Sequence, residues 1–217
     1  IQGYADILLS EHLGKLTDKQ KERIEIIKSS SETLLSLISD LLDAQKLELG
    51  QLKMRKENIN IKDTITHAIE TFLPQAQKNK IEIISNIADF SIEHDPARIK
   101  QVITNLIKNS LTVVEPEKGK IEISMKNMPQ EIQISVKDNG IGIPLNKQGD
   151  LFKKFYQVDA SLTREKGGSG LGLSICKGIM ENHGGVITVK STPNQETVFT
   201  FTLPKKVESG KSPIGLA

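Results

Sequence analysis

Residues 18–49 contain neither proline nor glycine, and their apolar side chains keep helical time. Ile24, Ile27, Leu34, Leu35, Ile38, Leu41 and Leu42 recur at spacings of three and four, and Leu35, Leu42 and Leu49 add a seven-residue register. That pattern predicts one helix of roughly thirty residues, from about Asp18 to Leu49. Thr17 followed by Gln20 is a capping-box signature for its start. Ile1, Tyr4, Ala5 and Leu8 mark a shorter helix before it, and the stretch GKLT at 14–17 separates the two. The result is a helical hairpin whose short arm cannot cover the long one. The rest of the stripe needs a globular part of the same chain, a missing upstream part of the first helix, or a second chain. Four-helix packing between two copies is the preferred reading.

Composition narrows the class of protein. The chain has 217 residues, enough for one medium domain beyond the hairpin. With 37% hydrophobic and 26% charged residues it is not a disordered chain. Lys plus Arg number 29 and Asp plus Glu 27, a balance that argues against a dedicated nucleic-acid binder. A single cysteine, Cys176, rules out an intrachain disulfide. No apolar run approaches the ~18 residues of a bilayer span. The opening IQGYADILLSEH has no signal-peptide pattern and no initiator Met, so an internal fragment is expected.

Beyond residue 60 the pattern alternates. NIKDTITHAIETFLPQAQ reads as a helix from about residue 61. Strands are expected at 81–85, 120–126, 131–138, 185–191 and 197–204. Ile121, Ile123 and Met125, then Ile132, Ile134 and Val136, alternate with polar residues, which means one buried and one wet face. The fold class is α+β: a two-layer sandwich of a mixed, mainly antiparallel sheet covered by helices, preceded by the helical hairpin. Expected boundaries are 1–52 for the hairpin, 53–205 for the sandwich and 206–217 for a flexible polar tail.

Three segments carry chemistry. The helix 95–114 has a core stripe of Ile99, Val102, Ile103, Leu106, Ile107 and Leu111, while Asn105, Asn109 and Thr112 share another face. Asn gains nothing from a mid-helix position, so the pair is either solvated surface or functional. An Asn oxygen suits a hard Mg²⁺ that keeps several waters and bridges phosphates. DNGIGIP at 138–144 follows a strand and is either a plain turn or a site where glycine admits close backbone approach. EKGGSGLGLSICKGI at 165–179 feeds a glycine loop into a helix, an arrangement that favours phosphate. A dinucleotide fingerprint would need glycine at Leu173, and the P-loop pattern is absent. Between the last two segments lies a long polar stretch, 145–166, read as a lid or disordered, with Phe152 and Phe155 available to pin it to the core or to a partner.

The order NLIKNS, DNGIGIP, LFKKFYQVD, GGSGLGL resembles the N box, first glycine box, F box and second glycine box of sensor histidine kinases. Residues 1–50 are similar to the back half of that family's dimerisation and phosphotransfer hairpin. The resemblance implies the Bergerat ATP-binding sandwich, shared with gyrase-type ATPases and certain chaperones. It implies ATP and Mg²⁺ as cofactors. Asp138 then matches the carboxylate that accepts from the adenine amino group, with Gly140 and Gly142 beside the nucleotide. Asn109 matches the Mg²⁺ ligand and Asn105 its polar neighbour, the two making the catalytic pair. Gly168, Gly170, Leu171 and Gly172 match the phosphate loop, Arg164 and Lys166 lid contacts to phosphate, and Thr197 a threonine that supports the adenine-side carboxylate through water. Gyrase-like relatives carry a water-activating glutamate where this chain has Asn105. Transfer to a protein histidine therefore fits better than hydrolysis.

The resemblance also implies partners: a response-regulator receiver domain, with Tyr4 and Ile7 on its docking surface, and a second copy through the hairpin. No nucleic acid is implied, and membrane attachment only through segments outside this chain, which would face the cytoplasm. Two departures stand out. The acceptor histidine, expected in a His-Glu-Leu-Arg-Thr-Pro-Leu-like stretch, is upstream of Ile1, and His12, His67, His94 and His183 match no acceptor motif. Alone, this chain is not expected to autophosphorylate. Thr112 and Val113 replace a basic and an aromatic residue, which implies weaker ATP binding. The alternatives are a nucleotide-binding module, phosphatase or scaffold without kinase activity, and a Bergerat-type ATPase or serine kinase.

Overall fold

The computed structural model describes residues 1–158 and 169–205. Helix α1 (Gln2–Leu9) and helix α2 (Asp18–Glu48) form the hairpin. The capping box is present: Gln20 N–H donates to the Thr17 hydroxyl, and Thr17 N–H donates to the Gln20 side chain at 2.8 Å. At 31 residues α2 is about 46 Å long, far more than α1 covers. Leu34, Leu35, Leu41 and Leu42 are each about half exposed along it.

The last turns of α2 do have a partner. Asp40, Asp43, Ala44, Leu47 and Glu48 recur at helical spacing on one face. Ala44 joins the main core, and Leu47 packs over Gly178. Arg98 Nη1 donates to Asp43 Oδ2 at 2.7 Å, Gln101 donates to the same oxygen at 2.9 Å, and Lys154 pairs with Glu48 at 2.9 Å.

After the hairpin come β1 (Glu57–Asn60), α3 (Ile61–Glu70), α4 (Leu73–Lys78), β2 (Glu82–Asn86), β3 (Ser91–His94), α5 (Pro96–Val113), β4 (Lys120–Asn127), β5 (Glu131–Asp138), α6 (Leu145–Gln148), α7 (Gly172–His183), β6 (Ile187–Thr192) and β7 (Glu196–Pro204). The main sheet runs β2-β4-β5-β7-β6, parallel at β2–β4 and antiparallel elsewhere. Helices α5 and α7 pack on it, and α3 packs on α5. The expected helix from residue 61 is two helices. Pro74 sits in the first turn of α4, where a missing N–H costs nothing, so the chain restarts there. A second sheet, β1 with β3, is too short to read from four-residue runs. The stretch 145–166 contains α6, and its part beyond residue 158 lies outside the described residues, as does the expected tail at 206–217. Among the described residues no helix is long and apolar enough to cross a membrane.

Two histidines knit the helices to the second sheet. His94 Nδ1 lies 2.9 Å from the Ile92 carbonyl and so carries the proton, which leaves Nε2 to accept from the Thr64 hydroxyl at 2.9 Å. His183 repeats the logic: Nδ1–H donates to the Ile179 carbonyl, and Nε2 accepts from Asp95 N–H at 3.0 Å. Burial lowers the pKa of both imidazoles, opposed by carbonyl hydrogen bonds. Below the ordinary histidine pKa of about 6.5 the unfolded chain takes up protons that the folded chain refuses. Stability is therefore expected to hold between pH 7 and 8 and to fall as pH drops from about 6.5 to 5.5. Urea midpoints across that range check this, and His183→Gln should blunt the fall.

Candidate functional site

The inner face of β5 reads Ile132, Ile134, Val136, Asp138, all buried. That of β7 reads Leu203, Phe201, Phe199, Thr197, and that of β6 reads Ile187, Val189, Ser191. In register, Asp138 pairs with Thr197 and Thr197 with Ser191. Three neighbouring strands thus turn from apolar to polar at one row. Period two carries these polar groups into the layer beneath α5 instead of into water.

Asp138 is 2% exposed. Its Oδ2 accepts from the Ser110 hydroxyl at 2.8 Å and its Oδ1 from Gly140 N–H at 3.0 Å. Burial raises its pKa above the ordinary carboxylate value, while these two donors pull it back. Ser191 donates to the Glu196 carbonyl at 2.7 Å, so at the 2.9 Å contact between Ser191 and Thr197 the Thr197 hydroxyl is the donor. The turn after β5 is bolted to β6: Ile143 N–H donates to Ser191 Oγ, and the Gln148 amide donates to the Ile143 and Ser191 carbonyls. Gly142, at φ +68°, lies so close to the Thr192 carbonyl and Pro193 that no side chain fits.

Ser110 was not among the residues expected from sequence. The signal was available, since it continues the buried stripe Ile99, Val102, Ile103, Leu106, Ile107 by one more position. A polar side chain on an apolar stripe needs a buried partner, and Asp138 is that partner. Val113, on the same helix, packs against Gly140, and its carbonyl accepts from Ile141 N–H. Thr112 turns its hydroxyl back to the Lys108 carbonyl at 2.8 Å.

The glycine loop meets the other end of this layer. Among the described helices of ten or more residues, α2, α3 and α5 carry side-chain caps from Thr17, Asn60 and Asp95, whereas α7 has none and no acidic residue in its first turn. Its unpaired N–H groups and dipole favour an incoming anion. Leu171 is buried and anchors the loop. Gly170, at φ +69°, sits against the backbone of Phe155, whose N–H donates to the Gly170 carbonyl at 2.9 Å. Phe152 packs edge-on against Phe199, as a pin to the core should, but Phe155 is 67% exposed and is not pinned to the core among the described residues. Its backbone makes the link instead.

Asn105 donates to the Gly172 carbonyl at 3.3 Å and to Cys176 Sγ at 3.6 Å. Its amide nitrogen is committed to holding the start of α7, which the sequence alone did not foresee. Burial pushes the Cys176 thiol up to about 12, so it is an inert part of the core. Asn109 is exposed, and its amide makes no hydrogen bond among the described residues. The described residues hold no cluster of three or more His, Cys, Asp or Glu able to cage a metal. Arg164, Lys166 and Gly168 lie outside the described residues.

Residues 94–207, more than half of the chain, match the histidine kinase-, DNA gyrase B-, and HSP90-like ATPase family. Residues 1–50 match the His Kinase A (phospho-acceptor) domain. The chain belongs to the sensor histidine kinases. It is 34% identical over 209 residues to the circadian input-output histidine kinase CikA of Synechococcus elongatus, covering 94% of this histidine kinase chain and 28% of that relative. It superposes on full-length ShkA in complex with AMPPNP with a TM-score of 0.76 at 25% identity, covering 94% of this chain and 42% of the other. It also matches histidine kinase ThkA in complex with response regulator protein TrrA, with a TM-score of 0.66 at 27% identity over 96% of this chain and 57% of that one. These matches bear out the α+β sandwich behind a helical hairpin.

Proposed function

We propose that this chain binds MgATP and transfers the γ-phosphoryl group to a histidine for relay to a response-regulator aspartate. The observation that carries the reading is the pairing of two features. A buried carboxylate is aimed by Ser110 and Gly140, and an uncapped glycine-fed helix start is held by Asn105, on the same helix α5 that carries Ser110. The first suits the adenine amino group, and the second suits phosphates. The ShkA relative holds AMPPNP, which supports a nucleotide at this kind of site.

In this reading Asp138 fixes the base, with Thr197 and Ser191 completing the polar row. Gly170, Leu171 and Gly172 bring backbone N–H groups to the phosphates, joined by Gly168, Arg164 and Lys166 from the adjoining segment. Asn105 positions Gly172. Mg²⁺, held by the free Asn109 oxygen and water, would neutralise phosphate charge. Helix α5 contains no Asp or Glu, so nothing on it activates water. The acceptor imidazole forms the P–N bond as the bond from phosphorus to the bridging oxygen breaks and ADP leaves.

His94 and His183 are buried with both nitrogens bonded, so neither is the acceptor. It lies in the expected upstream stretch. The half-exposed stripe of α2 seats a second copy, and exposed Tyr4 and Ile7 face the regulator. The ThkA–TrrA complex supports a regulator partner. The kinase core works on the cytoplasmic side, with any membrane anchor in segments beyond this chain.

The test is a chain extended upstream through the acceptor stretch and incubated with γ-labelled ATP. Acid-labile, base-stable phosphate on protein is expected. Asn109→Ala should cut its formation by about 100-fold, the scale of losing one transition-state charge contact. Steady phosphate release with no phosphoprotein would favour an ATPase instead. Nucleotide binding with neither product would favour the non-kinase module.

A further inference from the structure

A cavity of about 490 Å³ opens where the hairpin joins the sandwich. Its lining includes Lys46 from α2, Lys53 and Arg55 from the connecting segment, and Arg98 from α5. Three separate stretches of chain thus send cations to one concavity.

The connecting segment is not a loose tether. Gly50 N–H donates to the Leu47 carbonyl and Gln51 N–H to the Lys46 carbonyl, which closes α2 in a Schellman turn and folds the chain back beside Lys46. The following residues alternate: Leu52 is buried in the core and Met54 packs against it, while Lys53 and Arg55 are exposed. Arg55 N–H donates to Asp95 Oδ2 at 2.7 Å and pins the far end. Lys53 and Arg55 are therefore carried on fixed backbone.

The charges are unspent. Lys46, Lys53 and Arg55 have no ion pair or side-chain hydrogen bond among the described residues. Arg98 uses Nη1 for both Asp43 and Gln101, which leaves Nε and Nη2 available. Asp95 is the one carboxylate in the lining, and both its oxygens already accept backbone N–H groups from Arg98 and Arg55.

We infer that this cavity is a binding site for a small multivalent phosphate anion, separate from the glycine loop. Guanidinium- and ammonium-bearing side chains lining one cavity from three stretches of chain suit several phosphate oxygens at once. The volume falls within the range of small-ligand pockets. It is too small a concavity to supply the roughly 800 Å² per partner of a stable protein interface, so a small ligand is favoured over an acidic protein surface. A bound anion would tie α2 and the connecting segment to α5, the helix that carries Ser110, Asn105 and Asn109.

The test uses inorganic pyrophosphate at constant ionic strength, followed by backbone amide shifts of the whole chain, with and without a saturating non-hydrolysable ATP analogue. Saturable shifts at Gln51, Lys53, Arg55 and Arg98 that persist with the analogue present are expected. The double variant Lys53→Ala/Arg55→Ala should weaken them at least about 10-fold, since each charged hydrogen bond is worth that order. Both side chains are exposed, so the fold should be kept, and an unchanged melting midpoint verifies it. Lys126→Ala/Lys190→Ala, which removes the same charge from the sheet, should leave binding unaltered. Shifts confined to the glycine loop, equal loss in both double variants, or response to an acidic peptide but not to pyrophosphate would each overturn the proposal. The outcome does not depend on whether the chain is a kinase, because the readout is at the connecting segment.

Discussion

Asp138→Asn should remove most of the affinity for ATP while leaving the fold in place. The substitution keeps the volume of the side chain but takes away its charge. A hydrogen bond to a charged partner contributes about 1.5–3 kcal/mol, so losing it lowers affinity by roughly 10- to 150-fold. The two donors sit on different carboxylate oxygens, so an Asn oxygen can keep the Gly140 N–H while the Ser110 hydroxyl turns to accept from the amide nitrogen, which is why Asn is a milder structural change than Ala. Asp138→Ala would strand both donors in a buried site and cost roughly 1–3 kcal/mol of stability as well. Calorimetric titration with MgATP against both variants separates the two effects. The same carboxylate makes binding sensitive to acid. Burial raises its pKa, so it is protonated at milder acidity than a surface carboxylate, and affinity should fall as it gains its proton. If the Asn variant binds ATP as tightly as the parent, the adenine end of the site lies elsewhere.

Arg98→Ala should loosen the hairpin from the sandwich. Asp43 is 7% exposed and receives Arg98 and Gln101 on one oxygen. Removing one partner of a buried ion pair typically costs 3–5 kcal/mol because a charge is left uncompensated. Arg98 is partly exposed and Gln101 remains, so about 2–3 kcal/mol is expected here. Urea denaturation measures it. The double-mutant cycle with Asp43→Ala isolates the pair, and a coupling below about 0.5 kcal/mol would mean that solvent screens it. Amide exchange should quicken at the C-terminal turns of α2 in the variant but not in α3, which does not touch the pair.

Much of the fold was legible in advance because its signals are local. The capping box at Thr17 and Gln20, the period-two strands and the uninterrupted register of α2 each depend on neighbours within a few residues, and the structure contains all three. Local rules also explain the misses. Pro74 splits a helix whose apolar pattern runs on through it. Phe152 and Phe155 look alike in sequence, yet one is packed and the other exposed. That difference comes from a left-handed backbone at Phe155 and its hydrogen bond to Gly170, fifteen residues on.

Residue pattern alone determined most of the helices and main-sheet strands and pointed to the family, since periodicity, capping and glycine spacing are written along the chain. Which polar groups meet was decided only in three dimensions. Ser110 finds Asp138 across 28 positions, His183 finds Asp95 across 88, and Arg98 finds Asp43 across 55. A buried donor or acceptor must be satisfied, but the chain does not say by whom until helix and sheet have packed and brought distant atoms within 3 Å.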